Sequence, residues 1–277
     1  MSGTLYLVAT PIGNLGDIST RALQALSEAD FIAAEDTRVT RKLLLHFGIK
    51  KSLVSYYEHN RRESGEKIVN RLLTDEKCAL VTDAGTPGIS DPGEELVRLC
   101  VEAGIPIIAI PGPCAAVTAL SISGLPAGRF AFEGFLSTTK KNRYERLDEL
   151  KTDKRTMVFY EAPHKLIRTL NDMLTVFGDR RISISRELTK IYEDTIRCTL
   201  SEALAHFEKT PPRGEFVLVV DGAFDDRHSV IDLSQAIAAA ETYIDSGLSA
   251  KDAIKKAAEE TGVSRNALYK AVLENSE

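Results

Sequence analysis

The sequence predicts an α/β protein of two lobes, followed by a small all-helical domain. Three features of the 277 residues support this architecture. In the first part, short apolar runs alternate with helix-like stretches, which is typical of a parallel sheet with crossover helices. In the middle part, strand-like runs are more frequent. Beyond residue 225, the apolar residues recur at helical spacing.

The first lobe is assigned to residues 1–125. Four apolar runs predict buried strands: LYLVA (5–9), FIAA (31–34), ALVT (79–82) and IPIIAI (105–110). Helical stretches lie between them, so right-handed crossovers are expected. Ser19 is predicted to cap the first helix. Asp91 is predicted to cap the helix of EELVRLC, with Pro92 at its first position.

The second lobe is assigned to residues 126–225, because glycine and proline punctuate LPAGRFAFEG (125–134). Its strand-like runs are TMVFYEA (156–162), RISISRE (181–187), EDTIRCTL (193–200) and EFVLVVDG (215–222), which predict a mixed or antiparallel sheet. A polar linker follows. Residues 226–277 then predict three helices, and the last two form a helix-turn-helix pattern.

Composition excludes several classes of protein. No apolar stretch approaches the roughly 20 residues of a membrane span, and the N-terminus does not resemble a signal peptide. The 4 cysteines form no C-x-x-C pair, so neither a disulfide framework nor a metal site is expected. These features predict a cytoplasmic protein. The net charge of −5 means that any contact with nucleic acid must use local basic patches.

Three turns rich in glycine and proline follow predicted strands: ATPIGN (9–14), TDAGTPGISDPG (82–93) and PGPCAA (111–116). In open α/β sheets, ligands bind at the carboxyl ends of strands, and glycine allows the main chain to approach a ligand closely. The turns therefore predict a ligand crevice, although each could also be an ordinary tight turn. The dinucleotide and phosphate-loop motifs are absent, which argues against NAD and ATP.

Several longer motifs occur in a fixed order: TPIGNLGD, AEDTR, TDAGTPGISDPG, IPGPCA, FYEAPH and SRELTK. Through them, residues 5–221 resemble the ribosomal RNA small subunit methyltransferase I group of the tetrapyrrole methylase superfamily. The C-terminal residues are similar to the helical domain of that group. Tetrapyrrole enzymes usually carry G-x-G-P-G and G-G-D-P where this chain has TPIGN and DAGTP. These departures argue against a tetrapyrrole substrate.

The resemblance implies a class III methyltransferase fold, a homodimer and S-adenosylmethionine (S-adenosyl-L-methionine) as cofactor. It implies 2′-O-methylation of a cytidine in the decoding region of small-subunit (16S) ribosomal RNA, either free or in the assembled subunit. Positions that match the cofactor-binding positions of the family are Pro11, Asp83, Ala84, Gly85, Ile89, Ser90, Cys114, Ala115, Tyr160, Leu188, Gly214 and Glu215.

Methyl transfer to a ribose hydroxyl requires alignment of the reacting atoms and a group that accepts the hydroxyl proton. The candidates in AEDTR and SRELTK are Glu35, Asp36, Glu187 and Lys190. His164 is a further candidate on chemical grounds. A structural alternative stays open for the first pair, in which one carboxylate caps the next helix and the other pairs with Arg38.

Basic clusters provide candidate contacts to RNA phosphates, although each cluster could also be a solvated surface run. The candidates are Arg38, Arg41, Lys42, Arg61, Arg62, Lys140, Lys141, Arg143, Arg265 and Lys270.

Three other functions stay open. A methyltransferase for a tetrapyrrole or another small molecule would share the fold, but it would need neither the basic clusters nor the C-terminal helices. A ligand-sensing DNA-binding regulator would use those helices, but their faces are not strongly basic. A non-catalytic assembly factor would show no methyl transfer.

Overall fold

The computed structural model describes residues 3–223, 233–261, 263 and 265–274. Its first sheet contains β1 (Thr4–Val8), β2 (Phe31–Ala34), β3 (Ser52–Ser55), β4 (Lys77–Val81) and β5 (Ile107–Ile110). The strands are all parallel, in the order β3-β2-β4-β1-β5. The four predicted strands are confirmed with small shifts at their ends. The short strand β3 was not predicted.

Helices cover both faces of this sheet, as expected for parallel strands with apolar residues on both sides. They are α1 (Thr20–Glu28), α2 (Thr37–His46), α3 (Arg61–Leu73) and α4 (Glu94–Glu102). A fifth helix, α5 (Ala115–Ile122), follows β5 and packs on the second sheet. One core cluster includes Leu5 and Phe31, and a second cluster on the other face includes Val8 and Ile32. Ser19 caps α1 by accepting a hydrogen bond from the backbone N–H of Ala22 at 3.1 Å, as predicted.

The predicted cap of α4 is wrong. The helix begins at Glu94, and its N-cap is Gly93, so Asp91 and Pro92 precede it. The reason is a close approach within the turn: a Cβ on Gly93 would lie 2.8 Å from the backbone nitrogen of Gly88. The chain therefore folds back on itself between the two glycines, and Asp91 does not occupy the N-cap position of α4.

The second sheet is mixed, as expected. It contains β6 (Phe130–Phe135), β7 (Thr156–Glu161), β8 (Arg181–Arg186), β9 (Asp194–Thr199) and β10 (Phe216–Val220). The order is β6-β7-β10-β8-β9, in which only β6 and β7 pair in parallel. The strand β6 overlaps the segment 125–134 that the sequence marked as a boundary. The accompanying helices are α6 (Lys140–Leu150), α7 (Leu166–Phe177) and α8 (Leu200–Lys209).

The helix α5 joins the two sheets into one compact unit, Met1–Asp148 with Thr156–Asp221. It follows the last strand of the first sheet, but Ala116, Ala119 and Leu120 pack in one cluster with Val158 and Val217 of the second sheet. This packing brings the carboxyl ends of the first sheet close to the second sheet.

The second compact unit contains Glu149–Arg155 and Gly222–Glu277. Its helices are α9 (Leu233–Asp245), α10 (Ala250–Thr261) and α11 (Arg265–Glu274), which confirms the three predicted helices. Their core includes Ala236, Ile254 and Leu268. Among the described residues, no helix is long and apolar enough to cross a membrane. The domain limits at residues 125 and 225 stay predictions.

Candidate active site

A cavity of about 510 Å³ lies between the carboxyl ends of the first sheet and the second sheet. This volume is within the range of pockets that hold small ligands. Both lobes contribute to its walls. The lining residues are Ile12, Ala84, Gly85, Thr86, Ile89, Ser90, Asp91, Cys114, Ala115, Phe135, Tyr160, Glu161, Ala162, Pro163, His164, Ser185, Leu188, Lys190, Glu215, Phe216 and Val217.

The three glycine-containing turns meet at this cavity, as the sequence predicted. Thr10 and Gly85 exchange backbone hydrogen bonds of 2.9 and 3.1 Å, which join the first turn to the second. The hydroxyl of Thr86 donates to the carbonyl oxygen of Pro113 at 3.0 Å, which joins the second turn to the third. Gly85 has φ +87°, a conformation that favours glycine. The floor of the cavity is therefore held by the main chain.

The amino end of α5 faces the cavity, and Tyr160 of β7 holds it there. The Tyr160 hydroxyl accepts a hydrogen bond from the backbone N–H of Ala116 at 3.1 Å. Burial raises the pKa of Tyr160 to about 12, so its hydroxyl stays protonated at neutral pH. Its ring makes edge contacts with Phe132 and Phe135, with centroids 5.0 and 5.6 Å away. One wall of the cavity is therefore aromatic, and the hydroxyl of Tyr160 lies at the amino end of α5.

The cofactor-binding residues predicted from the family are concentrated around this cavity. Nine line it, and they are Ala84, Gly85, Ile89, Ser90, Cys114, Ala115, Tyr160, Leu188 and Glu215. The other three are Pro11, Asp83 and Gly214, and each is next in sequence to a lining residue. Their contacts with a cofactor stay predictions.

Lys190 enters the cavity wall between two carboxylates. Its ammonium donates to Glu187 Oε1 at 2.9 Å and to Glu215 Oε2 at 3.0 Å. Burial opposes the charged form of Lys190, but these two hydrogen bonds together raise its pKa. Burial likewise acts to raise the pKa of Glu187, but bonds from Lys190 and from the Glu215 N–H lower it. Both side chains therefore stay charged at neutral pH, which makes each a weak proton acceptor.

The backbone fixes the position of Lys190. Glu187 and Thr189 have φ +51° and +66°, left-handed conformations that are strained for residues other than glycine. Gly13 of the first turn packs against this loop: a Cβ there would lie 2.5 Å from Lys190 Cγ. Gly214 likewise packs against the side chain of Glu187. Strain at these positions is typical of a functional site.

Glu35 and Asp36 lie outside the cavity wall. Asp36 caps α2 by accepting from the Arg38 N–H at 2.8 Å, and it pairs with the Arg38 guanidinium at 2.7 Å. Those hydrogen bonds lower the pKa of Asp36 to about 2. Asp36 therefore makes both contacts of the structural alternative, which had divided them between the two carboxylates. Burial, followed by the charges of Asp91 and Asp83, raises the pKa of Glu35.

Comparison with known proteins identifies the family. Residues 4–204 match the family described as tetrapyrrole (corrin/porphyrin) methylases. The chain belongs to this family. The methylase also matches, over residues 234–276, the family described as the RsmI C-terminal HTH domain. The resemblance and the fold class predicted from sequence are therefore confirmed.

Near-full-length relatives of the methylase carry the name Ribosomal RNA small subunit methyltransferase I. The protein of Halalkalibacterium halodurans is 49% identical, over 96% of this chain and 93% of the relative. That of Bacillus subtilis is 45% identical over 97% and 94%, and that of Escherichia coli O157:H7 is 45% identical over 98% and 95%.

Solved structures share the fold of the methylase. Uroporphyrin-III-C-methyltransferase from Thermus thermophilus has a TM-score of 0.56 and 21% identity, over 78% of this chain and 94% of that chain. A complex of the Thermus enzyme with S-adenyl homocysteine has a TM-score of 0.56 and 18% identity, over 78% and 97%.

Most basic residues predicted to contact RNA are exposed on the methylase. These are Arg38, Arg41, Lys42, Arg61, Arg62, Lys140, Lys141, Arg265 and Lys270. Some already face acidic side chains: Arg61 lies 2.9 Å from Glu58 and 3.1 Å from Glu95. Such exposed pairs contribute little to stability, so they can be exchanged for phosphates at small cost.

Arg143 is the exception, and the prediction for it is wrong. The residue is 2% exposed, and its Nε donates to Asp172 Oδ2 at 2.7 Å. Its Nη1 donates to the carbonyl oxygens of Ser137 and Thr138 at 3.0 and 3.1 Å. Because its donors are used inside the protein, Arg143 is a structural residue and not an RNA contact.

Sequence reasoning missed part of the cavity wall. Asp91 was assigned to a helix cap, and residues 161–163 received no role. His164, considered only as a proton acceptor, is exposed and lines the cavity. The available signal was position: residue 161 ends β7 and residues 162–164 follow it, and Asp91 directly follows two predicted cofactor residues.

Proposed function

We propose that this methylase transfers a methyl group from S-adenosylmethionine to the 2′-hydroxyl of a cytidine in the decoding region of small-subunit (16S) ribosomal RNA. The observation that carries the proposal is the 45–49% identity, over both lobes and the C-terminal helices, to the three relatives described above. Their shared name specifies ribosomal RNA of the small subunit and methyl transfer.

The cavity suits this cofactor. Its volume of about 510 Å³ fits a ligand of nucleoside size, its walls are mostly apolar, and the start of α5 offers backbone N–H groups to a polar end. The twelve residues matched from the family would hold the cofactor. When bound, it supplies an activated methyl group on a sulfonium. The protein supplies orientation and a shielded environment.

Lys190 fits a role in binding rather than in proton removal. Its ammonium is held by Glu187 and Glu215, and its raised pKa keeps it charged. A fixed cation at the cavity wall suits a phosphate of the RNA next to the reacting ribose. Glu187 would then act as a positioning residue, because it holds Lys190 in place.

The exposed basic residues, which do not line the cavity, would provide further contacts to the RNA. Because the chain is acidic overall, they would act as separate patches on α2, α3, α6 and α11. We further propose that the substrate lies in the small ribosomal subunit, that the methylase is a homodimer, and that it acts in the cytoplasm.

Transfer of labelled methyl groups from S-adenosylmethionine to small subunits that lack the modification tests the proposal. We expect label on RNA, and digestion to nucleosides should place it on the ribose of a cytidine. Free ribosomal RNA in a parallel assay distinguishes the two forms of substrate. Label on a base, or label only on an added tetrapyrrole, would contradict the proposal.

A further inference from the structure

Asp91 places a carboxylate in the cavity wall. It lines the cavity and is partly buried, and it makes no hydrogen bond or ion pair with any residue that the structure describes. A partly buried charge without a partner is unfavourable in a folded protein, and such groups concentrate at functional sites.

The main chain directs Asp91 to this position. The close approach of Gly93 to Gly88 ends the turn before α4 begins, and the N-cap of α4 forms no side-chain hydrogen bond. An aspartate at the start of a helix would normally cap it. Here the carboxylate is not used for that purpose and faces the ligand space instead.

Titratable groups surround Asp91 on several elements. Asp83 and Glu35 follow strands β4 and β2, and Tyr160 lies on β7. Burial is the largest cause that raises the pKa of each of these three groups, and nearby negative charges raise it further. The charge of Asp91 is one of the causes for Glu35 and for Tyr160. His164, Lys190, Glu215, Glu161 and Cys114 are the other titratable groups among the described residues of the cavity wall. Burial first, and then Asp83, raises the pKa of Asp91 itself.

We propose that Asp91 is the catalytic residue that accepts the proton of the ribose 2′-hydroxyl during methyl transfer; this role rests on the proposed function. The O–H bond breaks as its proton passes to the Asp91 carboxylate, and the oxygen forms a bond to the methyl carbon. The carbon–sulfur bond of the sulfonium donor breaks, and its electron pair stays on sulfur as a neutral thioether. Asp91 then releases its proton to solvent.

The carboxylates proposed from sequence fit this role less well. Glu187 is bonded to Lys190, and Asp36 is bonded to Arg38 with a pKa of about 2. Glu35 has a raised pKa but does not line the cavity. Asp91 combines access to the ligand space with a raised pKa, which makes it a stronger proton acceptor than an ordinary aspartate.

Asp91→Asn tests the role, with Glu94→Gln as the matched control. Glu94 is exposed in the first turn of α4 and does not line the cavity, so the control removes a nearby negative charge only. In single-turnover assays on small subunits, Asp91→Asn should lower the rate by roughly 10²-fold or more, the usual contribution of a general base. Glu94→Gln should keep the full rate, and Asp91→Glu should recover part of the loss.

Two further measurements separate catalysis from binding. Calorimetry should show that Asp91→Asn binds S-adenosylmethionine as tightly as the unsubstituted protein, which also shows that it is folded. Carboxyl ¹³C NMR of the protein without RNA should give Asp91 a pKa above the ordinary value for aspartate. The rate of the unsubstituted enzyme should fall as the pH drops through that pKa, and the asparagine variant should lack this acidic limb.

The outcomes distinguish the two proposals. If the unsubstituted protein transfers methyl groups and Asp91→Asn does so at the same rate, the role of Asp91 is wrong and the proposed function stands. A parallel loss of cofactor affinity and rate would make Asp91 a cofactor ligand and would also overturn the role. No transfer by the unsubstituted protein would overturn both.

Discussion

Replacing Arg143 by methionine should lower the free energy of unfolding by about 3–5 kcal/mol, because it leaves a buried carboxylate without its cation. The side chains of Arg143 and Asp172 are 3% and 7% exposed. Methionine keeps much of the apolar stem but removes three hydrogen bonds, one to Asp172 and two to the carbonyl oxygens of Ser137 and Thr138. Asp172 would retain the bond from the Tyr144 hydroxyl, at 2.8 Å.

This loss corresponds to roughly two to four orders of magnitude in the folding equilibrium, at about 1.4 kcal/mol for each factor of ten. Urea unfolding followed by circular dichroism measures it. Lys141→Met is the matched control, because its side chain is 81% exposed and lies 3.8 Å from Glu145. We expect the control to change stability by less than about 0.5 kcal/mol.

Measuring RNA affinity on the same two variants separates the structural role from an RNA contact. Arg143→Met should bind RNA normally under conditions where it is folded. A stability close to that of the unsubstituted protein, together with weaker RNA binding, would show that the guanidinium is available to the substrate. The structural assignment of Arg143 would then be wrong.

Three other substitutions test the site and the RNA surface. Gly214→Ala would place a Cβ within 2.5–2.7 Å of Glu187 at φ +85°, whereas a Cβ on the control Gly104→Ala, at φ +66°, would have nothing within 4 Å. Urea unfolding should show that Gly214→Ala lowers the free energy of unfolding by about 1–3 kcal/mol more than the control does. Equal losses in the two variants would refute the contact with Glu187. Glu35→Gln should lower turnover by less than about tenfold, because a residue outside the cavity wall acts only through its neighbours. Calorimetry should show an unchanged affinity for the cofactor. A loss of turnover as large as that of Asp91→Asn would make Glu35 the proton acceptor. Charge reversal of Arg265 and Lys270 together should weaken RNA binding. The slope of log affinity against log salt concentration should fall by the amount expected for about two lost phosphate contacts. An unchanged slope in filter-binding assays would exclude α11 from the RNA interface.

Local pattern was enough for most of the framework. FIAA predicted strand β2 without error, and the other three predicted strands of the first sheet differ only at their ends. These runs are apolar on both faces because helices cover both sides of a parallel sheet. The glycine turns at their carboxyl ends located the cavity for the same reason, since parallel strands bring those ends to one edge.

Elements with weak local patterns were missed. The strand β3 is polar and partly exposed, so its four residues SLVS carry little apolar signal. The strand β6 contains Gly134 and has a register shift between Phe132 and Gly134. Because glycine is typical of loops, this segment was interpreted as a domain boundary. Both strands are stabilised by pairing with a neighbour that is buried, and pairing of that kind is not visible in a short window of sequence.

By itself, the sequence determined the α/β class, the order of most elements, the family and the edge of the sheet where a ligand would bind. Only the tertiary structure decided which polar side chains are available there. Arg143 is paired with Asp172, 29 residues away, and Lys190 is held by Glu215, 25 residues away. Asp91, in contrast, lies in the cavity wall without a hydrogen-bond or ion-pair partner among the residues that the structure describes. The physical reason is that burial and pairing determine whether a polar group is charged and whether it is available to a ligand. Burial and pairing both depend on residues that come together from distant parts of the chain.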